Sequence, residues 1–236
     1  MIVYGRNPVH EVIRGPRTVT RVWATSGAAR ESWLASVQRI TTRTEGAELE
    51  RICGSDGHQG LCAEVSAYRY ADADVLLAAP APLIVALDQV QDPQNLGAIA
   101  RSAEGAGVTG LILPERRSAE VTPAVCKASA GAVEHLAVAK IRNLADFLVD
   151  AKRAGLWCYG ADQESATTYT AMDFSGPVVL VLGSEGRGLR PRVAGACDAI
   201  VSIPLRGRVQ SLSVSAAAAV LIFAAAADRG VSAPRA

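Results

Sequence analysis

From residue 83 onward, uninterrupted apolar runs alternate with amphipathic stretches, and this alternation constrains the fold more than any other feature of the sequence. The runs are short and rich in Val, Leu and Ile, as in strands whose two faces are both buried. The stretches between them have helical spacing and would cover the two faces. We therefore predict an α/β fold with a parallel sheet for this part of the chain. Its strands are predicted at residues 83–87, 111–113, 136–141, 156–159, 178–182 and 200–203, and its helices at residues 95–105, 122–132, 143–154 and 211–227.

The chain before residue 83 shows shorter elements of mixed type. Strands are predicted at residues 2–4, 20–24 and 60–65, and helices at residues 8–13, 29–40 and 48–53. A stretch rich in Ala and Pro follows and ends in two prolines, as linkers often do. The 236 residues give room for a small domain joined to a larger one. The predicted boundaries are a small α/β domain at residues 1–68, a linker at 69–81 and a larger domain at 82–236.

The composition describes a folded protein of near-neutral charge. Half of the residues are hydrophobic and 20% are charged, which excludes general disorder. The formal net charge of +1 excludes a uniformly basic nucleic-acid binder. This total conceals a separation, since residues 1–43 carry a net +5, residues 44–80 a net −5 and residues 186–208 a net +4. Nearly all the basic residues are arginine, which suits the binding of phosphate.

No metal site, membrane segment or targeting segment is expected. The five cysteines are scattered, and the three histidines lack the spacing of metal ligands. Unpaired thiols of this kind are typical of a reducing, cytoplasmic setting. Charged residues interrupt residues 1–15, unlike the apolar core of a signal peptide. Residues 209–227 carry no charge, but their serines and eight alanines indicate a close-packed helix rather than a membrane span.

The pattern Gly-x-Gly-x-x-Gly at residues 105–110 has the wrong context for a dinucleotide site. Such a site requires a strand, then the glycines, then a helix. Here the glycines follow a predicted helix and precede a predicted strand. We interpret them as a helix end and a turn.

Three other segments place polar residues where predicted strands end. In the first, residues 87–103, Asn95 is predicted as the N-cap of a helix, and Arg101 lies off the apolar stripe of that helix. The spacing alone also allows a plain capped helix with a solvated arginine.

In the second segment, residues 178–189, a strand runs into a loop that contains Gly183, Glu185 and two further glycines. Loops at the carboxyl ends of parallel strands are where open α/β sheets bind ligands. A tight turn with positive φ would explain the same glycines without a ligand.

In the third segment, residues 203–219, a loop rich in Arg and Gly follows Ile203 and leads to a helix start with Ser211, Ser213 and Ser215. The N-terminus of a helix favours anionic ligands. Simple capping by serine is the alternative.

In this order and at these separations, the three segments resemble motifs 1, 2 and 3 of the SpoU (TrmH-type) branch of the SPOUT RNA methyltransferases. Residues 5–13 and 58–63 look like the small substrate domain of the RlmB-like members, and residues 128–136 match the region between motifs 1 and 2. The resemblance therefore covers nearly the whole chain.

The resemblance implies the transfer of a methyl group from S-adenosylmethionine to a ribose 2′-hydroxyl of RNA. It implies a deep trefoil knot in the carboxyl-terminal parallel-sheet domain, preceded by a small α/β substrate-binding domain of the L30e-like type. It also implies a homodimer whose interface includes the motif helices.

The resemblance assigns roles by position. The cofactor contacts that it implies are Gly183, Ile203 and Leu212. The residues of the reaction site that it implies are Arg101, Asn95, Glu185, Ser211 and Ser213. Arg101 would lie nearest the reacting hydroxyl. Because arginine is a poor base, this residue either takes the proton itself or orients a phosphate or nascent alkoxide while another group accepts the proton.

The third motif departs from the family at one position. It usually reads Ser-Leu-Asn-Val-Ser, and here Ser213 stands in place of the asparagine. A serine hydroxyl is shorter than an amide and offers fewer hydrogen bonds. A bridging water can make up such a difference, and we therefore expect an active enzyme.

We expect a cytoplasmic, dimeric methyltransferase that acts on ribosomal RNA, first of all on a guanosine of 23S rRNA. One alternative keeps the chemistry and places it on tRNA or on another rRNA nucleotide. A second alternative is an RNA-binding or ribosome-assembly protein with a weakened cofactor site, as the substitution at Ser213 would allow.

Overall fold

The computed structural model describes residues 1–209 and 211–230, which form two sheets with helices around them. The elements of the first sheet are β1 (Ile2–Tyr4), α1 (Arg6–Arg14), β2 (Val19–Ala24), β3 (Thr41–Arg43), α2 (Gly46–Cys53) and β4 (Leu61–Val65). The strand order is β1-β4-β2-β3, with β2 and β3 parallel and the other neighbours antiparallel. The mixed α/β character expected for this part of the chain is therefore present.

The prediction of an α-helix at residues 29–40 is wrong. This stretch forms two 3-10 segments, Ala28–Arg30 and Ser32–Ile40, and Val37 departs from helical geometry with φ −120° and ψ 19°. Leu34 is the one residue of the longer segment that is buried, so little apolar packing supports a regular helix there. The β-branched side chain of Val37 further disfavours the α conformation.

The second sheet has six strands within the described residues, and all neighbouring strands are parallel, as the apolar runs predict. Its elements are α3 (Ala73–Leu77), β5 (Leu83–Asp88), α4 (Pro93–Gly105), β6 (Gly110–Pro114), α5 (Pro123–Ala128), β7 (Val138–Ile141), α6 (Leu144–Arg153), β8 (Trp157–Ala161), β9 (Val178–Gly183), α7 (Pro191–Ala194), β10 (Ala199–Val201) and α8 (Val214–Asp228). The strand order is β10-β8-β9-β5-β6-β7.

One predicted helix of this part is shorter than expected. α5 ends at Ala128, because Ala130 and Gly131 adopt positive φ values of 53° and 90°, which an α-helix does not allow. A 3-10 turn, Ala132–His135, takes up the residues that follow. As a result β7 begins at Val138 and not at residue 136.

Helices cover both faces of the second sheet. α4, α5 and α8 pack on the face to which β5 contributes Val85 and Leu87, and α3, α6 and α7 pack on the face to which β5 contributes Ile84 and Ala86. Successive residues of a strand point to opposite faces. Because both faces are apolar, the strand reads as an unbroken apolar run.

The two sheets share one buried core. Val3 and Val9 of the first part belong to the same apolar cluster as Leu96 and Val125 of the second. Polar groups also bridge the junction, through the contacts Arg17–Glu134 (2.9 Å), Lys127 Nζ–Gly57 O (2.8 Å) and His135 Nε2–Glu11 Oε2 (2.8 Å). The two parts are therefore packed together and not merely tethered.

Part of the segment predicted as a linker is folded onto the second sheet. Ala71 forms a parallel bridge with Ala139, and α3 buries Leu76 against the sheet. Asp72 caps α3 by accepting a hydrogen bond from the backbone N–H of Asp74. The linker prediction, which was based on the many alanines and prolines, therefore missed a short capped helix that buries Leu76.

One side of α8 is exposed although nearly all of its residues are apolar. Leu221 and Ile222 are buried, whereas Val220 and Phe223 are 37% and 51% exposed. Among residues 1–209 and 211–230, no helix combines the length and the apolar character that crossing a membrane requires.

Candidate active site

The carboxyl ends of β8, β9 and β10 and the chain leading into α8 enclose a cavity of about 380 Å³, which we name the first pocket. The predicted cofactor contacts Gly183, Ile203 and Leu212 all line it, and so does Ser211. This edge of an open α/β sheet is the usual place for a ligand. The structure thus brings together residues that the sequence places in two separate motifs.

A second cavity of about 330 Å³, the second pocket, adjoins the first. It lies between the chain that follows β5 and the start of α4, and Asn95 is part of its lining. Four residues line both pockets: Ser184, Glu185, Arg187 and Val214. The two pockets therefore share one wall.

The chain from Gly183 to Arg190, here called the β9 loop, folds back on itself. Ser184 and Gly188 form an isolated antiparallel bridge, in which the N–H of Gly188 donates to the carbonyl of Ser184 at 3.0 Å. A Cβ on Gly183 would lie 2.1 Å from the carbonyl carbon of Gly188, so no other residue fits there. Gly186 and Gly188 adopt φ values of 77° and 61°. The turn interpretation of these glycines is confirmed, and the turn itself forms the shared wall.

A buried carboxylate stands behind this wall. Asp88, the last residue of β5, is 1% exposed. Its Oδ2 accepts from the backbone N–H of Arg190 at 2.8 Å, and its Oδ1 accepts from Nε of the same residue at 2.7 Å. Sequence reasoning missed this pair. The available signal was an acidic residue directly after a wholly apolar strand, because a buried carboxylate must find a partner.

The prediction that Asn95 is an N-cap is wrong. α4 begins at Pro93, which is favourable at a first helical position. Asp92 is the cap, since its side chain accepts from the N–H of Gln94 at 3.0 Å. Asn95 lies in the first turn, where its Nδ2 donates to Oε1 of Glu185 at 3.3 Å.

The last helix begins later than residue 211. α8 starts at Val214, and Ser213 is its N-cap, with Oγ accepting from the N–H of Ala216 at 3.2 Å. The same Oγ lies 3.1 Å from Oγ of Ser215. Ser213 lines neither pocket, whereas Ser211 precedes the helix and faces the first pocket. The capping interpretation therefore describes Ser213.

Glu185 is the group on which the two pockets converge. Its Oε1 accepts from Asn95 Nδ2 and from the backbone N–H of Val214, both at 3.3 Å. Within the part of the chain that the structure describes, no group donates a hydrogen bond to its Oε2. One carboxylate oxygen is thus held in place and the other is available to a ligand.

Arg101 lines neither pocket. It is exposed on α4, six residues after Asn95 and so about 9 Å further along the helix axis. It forms no ion pair with any other residue in the ranges 1–209 and 211–230. A single chain therefore assembles Asn95, Glu185 and Ser211 around the pockets and leaves Arg101 outside them.

The chemistry of the first pocket fits S-adenosylmethionine. Its volume lies in the range typical of small-molecule sites. Apolar surface suited to a purine comes from Leu182, Val201 and Leu212, and acceptors suited to hydroxyl and ammonium groups come from Asp162, Glu164 and Glu185. The described residues contain no group of three or more His, Cys, Asp or Glu that could hold a metal ion.

The thiols of this region are not poised for chemistry. Burial, together with the nearby carboxylate of Asp198, raises the pKa of Cys158 and of Cys197 to about 12. Since only thiolates are strong nucleophiles, neither residue is a candidate for the reaction.

Two sequence families match the chain, one on each part. A profile of the SpoU rRNA Methylase family matches residues 82–223. A profile described as RNA 2′-O ribose methyltransferase substrate binding matches residues 2–71. The first of these covers more than half of the chain.

Known proteins resemble the chain along most of their length. An uncharacterised tRNA/rRNA methyltransferase of Mycolicibacterium vanbaalenii is 40% identical, over 97% of this chain and 76% of its own. A Bacillus subtilis protein assigned to the TrmH family of tRNA/rRNA methyltransferases is 37% identical, over 94% of this chain and 93% of its own.

A solved structure extends the likeness to three dimensions. The rRNA methyltransferase of Sinorhizobium meliloti with bound S-adenosylmethionine matches 98% of this chain and 88% of its own, with 25% identity and a TM-score of 0.81. The SPOUT fold class is thereby confirmed, and the strand order is consistent with its knotted topology. By sequence and by structure, the chain belongs to the SpoU (TrmH-type) family of S-adenosylmethionine-dependent RNA methyltransferases.

Proposed function

We propose that this enzyme methylates the 2′-hydroxyl of a ribose, at a guanosine of 23S rRNA, and that it works as a homodimer in the cytoplasm. The observation that carries the proposal is the position of Glu185, whose carboxylate lies in the wall shared by the two pockets. A methyl donor in the first pocket and a ribose in the second would meet across this wall. Such an arrangement aligns the two reactants before transfer.

The residues that would hold the cofactor are Gly183, Ile203 and Leu212, with Ser211 beside them. When bound, S-adenosylmethionine supplies an electrophilic methyl group on a sulfonium. Gly183 allows the β9 loop to close tightly on itself, and this loop forms one side of the pocket. Leu212 adds apolar surface, of which 39% is exposed in the isolated chain.

Glu185 is the proton acceptor in this proposal. A ribose hydroxyl is a weak acid, so an aligned base would be needed to take its proton when the hydroxyl reacts. The N–H donors of Asn95 and Val214 fix Oε1, and Oε2 is left to take the hydroxyl proton. Arg101, as a permanent cation, stabilises the charge that develops on the ribose oxygen.

The exposed stripe of α8 supports the homodimer. Its members are apolar, exposed and spaced at three to four residues: Ala216, Val220, Phe223 and Ala227. α4 packs directly beside α8 and carries Arg101 on its own exposed side. A second copy docked on this stripe would cover apolar surface and would bring Arg101 to a site shared by the two chains.

The first part of the chain is suited to gripping RNA. Its seven arginines up to residue 43 are exposed except for Arg17. Arg21 also lies over the ring of Trp23, at 5.5 Å from the ring centre. Exposed guanidinium groups bind phosphates, and they do so without reading the base sequence.

Two points favour ribosomal RNA over tRNA. The family that matches residues 82–223 is described as an rRNA methylase family. The Sinorhizobium meliloti enzyme, which is named an rRNA methyltransferase, matches the chain through both of its parts. The protein named an rRNA methyltransferase therefore resembles this chain in the substrate-binding part as well.

The test is to map 2′-O-methyl groups in total RNA from cells with and without the gene. We expect one methylated guanosine of 23S rRNA to disappear and to return when purified enzyme and S-adenosylmethionine are added. Loss of a tRNA mark with rRNA unchanged would overturn the substrate. Sedimentation of the purified protein tests the dimer, and a folded dimer without saturable S-adenosylmethionine binding would favour the RNA-binding alternative.

A further inference from the structure

Asp88 meets the β9 loop at both of its ends. Within the sheet, Asp88 is the register partner of Gly183, where the loop begins. Its carboxylate binds the backbone N–H and the guanidinium of Arg190, where the loop ends. Both ends of the β9 loop are therefore held next to the same residue, Asp88.

The loop needs such an external anchor. Three of its eight residues are glycine, which leaves the backbone more freedom than any other residue type. Its internal support within the described residues is the single bridge between Ser184 and Gly188. A loop that is free before a ligand binds loses that freedom on binding, and the affinity falls accordingly. Fixing the ends beforehand reduces this loss.

The carboxylate of this anchor is buried, and both of its oxygens accept hydrogen bonds. The side chain of Asp88 is 0% exposed, and that of Arg190 is 44% exposed. Nη2 of Arg190 lies 2.7 Å from Oδ1, in addition to the two hydrogen bonds from Nε and the backbone N–H. Charge-assisted hydrogen bonds of this length are stronger than neutral ones. Asp88 itself lines neither pocket, so any effect on a ligand passes through Arg190 and the loop.

We propose that Asp88 is a positioning residue which, through Arg190, holds the β9 loop in the conformation that binds S-adenosylmethionine. This inference rests on the proposed assignment of the first pocket to the cofactor. It adds a residue from the start of the first motif segment, at the end of β5, to the residues that shape the cofactor site, although that residue lines neither pocket.

The experiment compares Asp88→Asn, Arg190→Ala and the double variant with the wild type. Calorimetry gives the dissociation constant of S-adenosylmethionine, and a thermal melt shows that each protein is folded. We expect each single variant to weaken binding on the order of tenfold and the double variant to weaken it no further, because both changes break the same contact. Arg192→Ala is the matched control, since Arg192 lies two residues further along the chain and pairs with Asp146 on the surface. It should bind as the wild type does.

Limited trypsin digestion gives a second readout. Arg187 lies inside the β9 loop before a glycine, so cleavage there reports the mobility of the loop. Cleavage after Arg190 is blocked by Pro191. We expect faster cleavage at Arg187 in both single variants and protection by S-adenosylmethionine in the wild type and in Arg192→Ala.

Each outcome has a distinct meaning. A folded wild type that does not bind S-adenosylmethionine would defeat the proposed function. A wild type that binds, together with folded Asp88→Asn and Arg190→Ala variants that bind equally well, would overturn only the role of Asp88. If Asp88→Asn fails to fold, Arg190→Ala decides the matter, because the Arg190 side chain is partly exposed and the backbone N–H of residue 190 still donates to Asp88.

Discussion

Nη1 of Arg17 donates a hydrogen bond of 2.9 Å to Oε1 of Glu134, and this buried ion pair joins the two parts of the chain. The guanidinium also donates to the carbonyl of Ser66, at 3.1 Å from Nε and 2.7 Å from Nη2. Removal of the arginine would leave a buried carboxylate without its cation. We expect Arg17→Ala to lower the free energy of unfolding at neutral pH by about 3 kcal/mol, as measured by urea denaturation. Arg14→Ala, on the exposed end of α1, is the control and should have little effect.

The same pair predicts a pH dependence. Burial raises the pKa of Glu134, although Arg17 acts in the opposite direction. A carboxyl whose pKa is higher in the folded state binds its proton more tightly there. The stability due to this group is therefore full below the unfolded pKa and is lost as the pH rises through the folded pKa. Between the unfolded and the folded pKa of Glu134, the free energy of unfolding should fall more steeply with rising pH in the wild type than in Glu134→Gln. Urea denaturation at a series of pH values measures this, and an equal fall in the two proteins would contradict the prediction.

Replacement of Gly183 by alanine should abolish cofactor binding. The added Cβ would collide with the backbone of Gly188, which cannot move without opening the β9 loop. Calorimetry with S-adenosylmethionine should show no saturable binding by the folded variant. Gly105→Ala is the matched control, because a Cβ at the end of α4 meets nothing within 4 Å. It should bind normally and gain up to about 1 kcal/mol of stability.

Arg101→Ala should separate binding from transfer. The side chain lies outside both pockets, so the affinity for S-adenosylmethionine should not change. Methyl transfer to RNA should fall by at least about a hundredfold, because the charge on the ribose oxygen loses its cation. Transfer is followed with a radiolabelled methyl group. An Arg153→Ala variant, which removes an exposed arginine of α6, should retain full activity, and equal activity in both variants would refute the assignment.

Ser213→Ala should weaken the start of α8. The variant removes the oxygen that accepts from the N–H of Ala216, and the loss of such a cap costs about 1 kcal/mol. Ser213→Asn should keep the stability, since asparagine caps helices equally well, and should also keep the activity. An asparagine variant as unstable as the alanine variant would show that the cap is not what Ser213 provides.

The layered fold could be predicted from the sequence because a strand that is buried on both faces has an uninterrupted run of apolar residues. Ile84 and Val85 point to opposite sides of the sheet, and both sides are apolar, so β5 has no polar position before Asp88. The predicted cofactor contacts Gly183 and Leu212 could be proposed because they belong to recognisable local motifs, and both line the first pocket. The knotted topology has no such sequence pattern, since periodicity carries no information on how the chain threads.

Features that depend on the path of the backbone and on its surroundings escaped prediction for a related reason. Asp92 rather than Asn95 caps α4, and the choice depends on where the backbone turns before Pro93. The partner of Asp88 is 102 residues away, at Arg190, and only the return of the β9 loop to the end of β5 brings them together. The break at Val37 likewise reflects how little of its neighbourhood is buried. Local pattern identifies elements, whereas these features depend on where the backbone turns and on which segments pack together.

The common core of the two parts has a consequence for the choice of target. Because Val3 and Val9 are packed in the same apolar cluster as Leu96 and Val125, the part that would grip RNA cannot swing freely against the part that would transfer the methyl group. The distance between the RNA feature bound by the first part and the ribose methylated by the second part would then be fixed by the fold. The enzyme would then select the ribose that lies at this fixed distance from the RNA feature that the first part binds.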